Sequence, residues 1–194
     1  MHVVMTRMAR ALAVTGGVVL SALILLTCLS VIGREMNATM NGAFFQENFP
    51  TFAAFVLGTG IGPVDGDFEL VETGVAFAIF SFLPLCQITA GHATVDIFTS
   101  RMSITANRLL RLIADIAFAA VLILIFVRLF DGTLSKYSTG ETTFLLQFPV
   151  WWGYVLSLFA SFVGALVGVY VAYVRVREFI SGSSILIEGE GVKH

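Results

Sequence analysis

Charged side chains are scarce in this sequence, so those that stand close together are the first candidates for chemistry. Asp67, Glu69 and Glu72 fall within six residues. His92 and Asp96 stand four apart, as do Arg111 and Asp115, and Arg34 closes the first long apolar run. Such groups serve a transport path when they lie at mid-membrane depth. They serve a haem when histidines pair within the membrane, and a hydrolase when a nucleophile faces a base. None of these patterns is met. Only His92 lies near an apolar run, since His2 and His194 are terminal, and no Cys/His cluster suggests a metal. The chain is therefore read as no enzyme, with no catalytic residue, no metal ligand and no cofactor.

Each group also has a plainer reading. Asp67 is expected to cap a helix, with Glu69 and Glu72 in its first turn, where the helix dipole favours anions. His92 can pair with Asp96 at the membrane surface. Asp115 can meet Arg111 one turn away on the same helix face, or reach a neighbouring helix instead. Cys28 and Cys86 would differ in depth by roughly 12 Å at 1.5 Å per residue, too far for a disulfide, which needs Cα atoms within about 7 Å.

The elements that position these groups follow from composition. Of 194 residues, 57% are hydrophobic and 12% charged, with a mean hydropathy of +0.91. A soluble domain carries about 25% charged residues. The apolar residues gather into runs long enough to cross about 30 Å of hydrocarbon. The expected fold is an all-α integral membrane protein, one domain over residues 1–180, with spans near 11–33, 68–90, 109–130 and 150–174. A polar tail, 181–194, is expected to be mobile. The first run exceeds the core of a signal peptide and is followed by no small-residue cleavage site, so it reads as a retained span. Nucleic-acid binding has no basic patch to support it.

Within the spans, Gly16, Gly17 and Ser21 form a small-residue patch. Ser157, Ser161, Gly164 and Gly168 recur at three- and four-residue steps as a close-packing stripe. Pro84 is expected to kink the second span, and Gln87 to hydrogen-bond across helices. Trp151 and Trp152 open the fourth span as an aromatic belt. A connection of about 30 residues separates spans one and two. Its part from Pro50 to Leu57 reads as a short helix, ended by Gly58, Gly60, Gly62 and Pro63. Placing the N-terminus in the cytoplasm puts eight Lys or Arg inside and three (Arg34, Arg128, Lys136) outside. By the positive-inside rule both termini are then cytoplasmic, and the long connection is periplasmic.

The ordered motifs resemble a known family, the small permease subunit of the tripartite ATP-independent periplasmic (TRAP) transporters, DctQ-like. The resemblance rests on Val31-Ile32-Gly33-Arg34, on Glu69 and Glu72, on Gly91, His92, Val95 and Asp96, and on Gly140, Thr143, Leu146, Pro149, Trp151 and Tyr154. It covers nearly the whole chain, although the first connection is longer than is usual in the family. It implies a multi-pass protein of the bacterial inner membrane. Its partners would be a large DctM-like permease subunit, a periplasmic substrate-binding protein and membrane lipids. The system would import an organic acid on a sodium gradient, and this chain would hold the scaffold without a substrate site of its own. Arg34, Glu69, Glu72, His92, Asp96, Asp115 and the Ser157–Gly168 stripe are its candidate interface or structural residues, with Arg34 expected to pair with Glu69 or Glu72. The alternative reading is a membrane anchor of an electron-transfer complex.

Overall fold

The computed structural model describes residues 2–89 and 104–181, apart from the side chains of residues 104 and 105. His92 and Asp96 lie outside the described residues. Among the described residues six helices follow in order: α1 (His2–Asn41), α2 (Ala43–Asn48), α3 (Pro50–Gly58), α4 (Asp67–Ile88), α5 (Ile104–Thr139) and α6 (Trp151–Ser181). Four of them, α1, α4, α5 and α6, are long and apolar enough to cross a membrane. Among the described residues the β pairing is a single isolated bridge between Thr142 and Pro149.

The helices outrun the apolar runs that announce them. α1 has 40 residues, about 60 Å at 1.5 Å per residue, twice the hydrocarbon thickness. The polar stretch Glu35–Asn41, expected as loop, continues the helix because nothing in it breaks one. The break comes at Gly42, whose backbone is extended. Likewise α5 runs through Asp131–Thr139 to Gly140, which takes a left-handed φ of 64°. Gly132 does not end α5. Its missing Cβ makes room for the Tyr154 ring, which such an atom would meet at 3.1 Å. The short helix expected from Pro50 forms as α3, with Pro50 in its first turn, where its missing N–H costs nothing. The N-cap of α4 is Gly66, at φ 74°, not Asp67, which is the first residue inside the helix. α4 then continues unbroken through Pro84.

α6 is the centre of the bundle. It packs on α4 and α5, and α1 packs chiefly on α4. Half of the most apolar stretch of α6 is buried, against 17% in α1 and 11% in α5, so α1 and α5 are the outer helices. Register along α1 and α4 is regular. Gly16 faces Ser81, Leu23 faces Gly74, and Ser30 bonds Asp67. Each step of seven on one helix is matched by seven on the other, the spacing of antiparallel helices in left-handed contact. α4 and α6 run parallel, with Gly153 against Thr73 and Gly164 against the buried Pro84 ring. α5 and α6 run antiparallel, with Phe126 against Phe162 at 5.5 Å and Gly168 against Leu122 and Ala119. The stripe Ser157, Ser161, Gly164, Gly168 is thus buried within the chain.

At the end of the bundle where α1 ends, a Cβ on Gly33 would fall on the carbonyl oxygen of Gly62, whereas a Cβ on Gly17 would meet nothing within 4 Å. Replacing Gly33 by Ala is therefore expected to cost about 1–3 kcal/mol, the usual scale of overpacking, and to lower the thermal midpoint in detergent. Gly17→Ala should leave the midpoint unchanged or raise it. Equal midpoints for the two variants would refute this placement of the loop.

Candidate functional site

The polar residues collect in two belts, one at each end of the bundle. Asp67 belongs to the first and Gln87 to the second, twenty residues apart on α4, about 30 Å and so one hydrocarbon thickness. Between the belts, residues 11–33 of α1, 73–86 of α4, 116–127 of α5 and 151–174 of α6 contain no Asp, Glu, Lys, Arg or His.

The first belt is built around the start of α4. Asp67 and Glu69 are two residues apart, about 200° on a helix, so they face opposite ways. Asp67 turns to α1. Its Oδ2 accepts from the fully buried Ser30 hydroxyl at 2.5 Å, and Arg34 lies 3.8 Å from the same oxygen. Ser30 in turn accepts from the Val64 N–H at 3.2 Å, and Asn37 donates to the Ile61 carbonyl at 3.0 Å. The loop before α4 is thereby fastened to α1. Arg34 thus pairs with Asp67 rather than with Glu69 or Glu72, because the register of α1 on α4 brings only Asp67 to its side.

Glu69 turns the other way. Its side chain is enclosed, with the residue only 4% exposed. Its two oxygens accept from consecutive backbone N–H groups, Leu145 at 2.6 Å and Leu146 at 3.0 Å. The receiving loop is closed on itself. Thr143 N–H donates to Phe148 O, Val150 N–H to Glu141 O, and the Gln147 side chain to Phe144 O. Gln147 holds a positive φ of 55°. Leu146 lies over Gly66, where a Cβ would collide with it. Two motifs far apart in the sequence, the acidic start of α4 and the Gly140–Tyr154 approach to α6, therefore meet as carboxylate and cradle. Charge-assisted bonds of this kind are among the stronger hydrogen bonds. Glu72 is exposed, on the wall of a groove of about 460 Å³ between α4, α5 and α6, which Thr143, Tyr154 and Ser157 also line.

The second belt joins three helices. Arg175 on α6 donates through Nε to Asp115 of α5 at 2.8 Å, and through Nη1 to Glu178 at 2.8 Å. The other Asp115 oxygen accepts from Gln87 of α4 at 3.3 Å. All three ionised side chains are nearly buried, at 10–13% exposure. The expected pairing of Asp115 with Arg111 gives way to this arrangement, because both Asp115 oxygens already have partners on α6 and α4. The expected cross-helix bond of Gln87 is present. Arg175 and Glu178 were not foreseen as site residues. Their signal was a basic residue at the end of a span followed three positions later by an acid. Among the described residues no three His, Cys, Asp or Glu side chains group as a metal site would require.

Chemically, both belts are fasteners: the carboxylates at their centres are spent on N–H, hydroxyl and guanidinium groups of the chain itself. Over residues 23–178 the chain matches the family model described as tripartite ATP-independent periplasmic transporters, DctQ component. The match covers most of the sequence, and the chain belongs to that family, the small membrane component of a TRAP transporter. It is a multi-pass membrane protein whose partners, in general, are a large permease and a binding protein. Neither a curated relative nor a solved structure matches it.

Two expectations follow. In Glu69→Ala the amides of Leu145 and Leu146 should exchange with deuterium markedly faster, with α6 unchanged beyond its first turn. Glu69→Gln, which keeps one acceptor oxygen, should fall between that variant and wild type. Equal exchange in all three would show that the carboxylate does not hold the loop. At the other end, Arg175→Met takes the guanidinium from two nearly buried carboxylates and should cost about 3–5 kcal/mol, the range for breaking a buried pair. Asp115→Asn, which leaves Arg175 bound to Glu178, should cost less, as read by thermal unfolding in detergent.

Proposed function

We propose that this chain packs on the static scaffold of the large permease subunit and holds it in the membrane while the transporting part of that subunit moves. In this reading both termini are cytoplasmic and the Asp67 end is periplasmic. The membrane is the bacterial inner membrane. A periplasmic binding protein delivers an organic acid, and a sodium gradient drives its import. The chain supplies no substrate site.

The observation that supports this most is the division of its surface. The described helices carry their charges toward their two ends, where Asp67, Glu69, Asp115 and Arg175 are spent on internal fastening, while the outer helices present bare apolar faces between those ends. On α1, Val14, Val18, Leu25 and Leu29 are all more than 60% exposed. Beside them, Gly17 has open space and Ser21 is exposed with its hydroxyl bonded to the Gly17 carbonyl. Small residues with their polar atoms satisfied let a second helix approach closely, which is how helices associate where the hydrophobic effect gives no help. Gly16, one position away, is already taken by α4. The neighbouring free patch is the face offered to the scaffold.

A tagged chain co-expressed with its permease should bring down the large subunit at one-to-one stoichiometry from detergent extracts. Gly17→Leu fills space that the chain itself leaves empty. It should reduce that recovery several-fold while leaving the chain's own thermal midpoint unchanged. Undiminished recovery would remove α1 from the interface, and a chain that purifies alone or as a homo-oligomer would sink the subunit reading.

A further inference from the structure

The hairpin of α2 and α3 is not used by either belt. α3 is apolar on every side, with Thr51 its one polar residue. One side is spent on the chain: Ala53 is fully buried. Phe44, Phe49, Phe52 and Phe55 remain between 53 and 71% exposed. The hairpin is fixed at both ends to the projecting turns of α1. The Gln46 side chain donates to Met40 O at 2.8 Å, Asn37 holds Ile61, and Gly33 meets Gly62. The phenylalanines are therefore displayed on a braced support.

Hydrocarbon is a poor cover for them: Arg34 and Asp67 stand about one hydrocarbon thickness from the Gln87 belt, and the hairpin is fastened to Asn37 and Met40, three and six residues past Arg34. A lipid surface is a poor match as well. Interfacial anchors carry a polar face rich in Lys and Arg, whereas the charged residues from 35 to 66 are Glu35, Glu47 and Asp65, all acidic. A partner that comes and goes would leave the rings in water, and soluble surfaces rarely leave such apolar patches open.

We propose that the α2–α3 hairpin is a permanent docking knob for a protein partner, inserting Phe52 and Phe55 into an apolar groove rimmed by basic residues. Resting on the subunit reading above, that partner is the large membrane subunit, at the end of the complex where α1 projects.

The test uses the complete transporter, co-expressed with a benzoylphenylalanine photocrosslinker at position 55. Illumination should give an adduct of this chain with the large subunit. The double variant Phe52→Gln, Phe55→Gln should lower co-purified large subunit several-fold, with the thermal midpoint of the separately purified chain unchanged. If the wild-type complex forms but the adduct is to lipid, to a second copy of this chain or to the binding protein, the docking proposal falls and the subunit reading stands. If the wild-type chain brings down no large subunit, both fall.

Discussion

Helices in hydrocarbon gain nothing by hiding apolar surface from lipid, so their association depends on how closely backbones approach. In this chain that constraint is met along one helix. α6 brings Gly153, Ser157, Ser161, Gly164 and Gly168 against α4 and α5. Gly164 admits the Pro84 ring, Gly153 admits Thr73, and Gly168 admits Leu122. α1 touches α6 only lightly. It joins through α4, where Gly16 takes the Ser81 side chain and Gly74 takes Leu23. The hierarchy of buried and outer helices follows from which helix carries the small residues.

Close packing alone leaves helices able to slide by a turn, and the belts remove that freedom. Ser30 and Asp67 tie α1 to α4 at one end. At the other end Gln87, Asp115 and Arg175 tie α4, α5 and α6 together. Both ties sit where the membrane gives way to water, so the charges are fixed without the cost of holding them at mid-depth. Glu69 adds a link that packing could not provide. It joins the start of α4 to a loop 76 residues later by way of backbone N–H groups.

The four spans were legible because each apolar run by itself exceeds the membrane. The α6 stripe was legible because helical spacing brings residues 157, 161, 164 and 168 to one face. Helix lengths were not. Glu35–Asn41 and Asp131–Thr139 are polar enough to read as loop, yet contain nothing that stops a helix until Gly42 and Gly140. Carboxylate partners were not legible either. Choosing Asp67 over Glu69 for Arg34 requires the register of α1 on α4, which steric contact at Gly16 and Gly74 decides. Glu69 binds backbone, which leaves no side-chain signature. What the sequence did carry was the cradle's own needs, a glycine for the left-handed turn at residue 140 and a leucine at 146 to cover Gly66.

The unread lengths bear on function. A helix of about 60 Å in a membrane of about 30 Å must leave residues outside, and α1 runs past its charge-free stretch at both ends, by residues 2–10 and, at the end away from Arg175, by residues 34–41. A bare helical stub would gain nothing there. This one is roofed by α2 and α3, and the loop that follows returns to Asn37 and Gly33 before entering α4. The roof, the α4 cap at Gly66 and the cradle at Leu146 are therefore one continuous assembly. Its position is set by two carboxylates facing opposite ways on the first turn of one helix. The α1 projection and the loop before α6 are thereby tied to the same turn of α4, one through Asp67 and the other through Glu69.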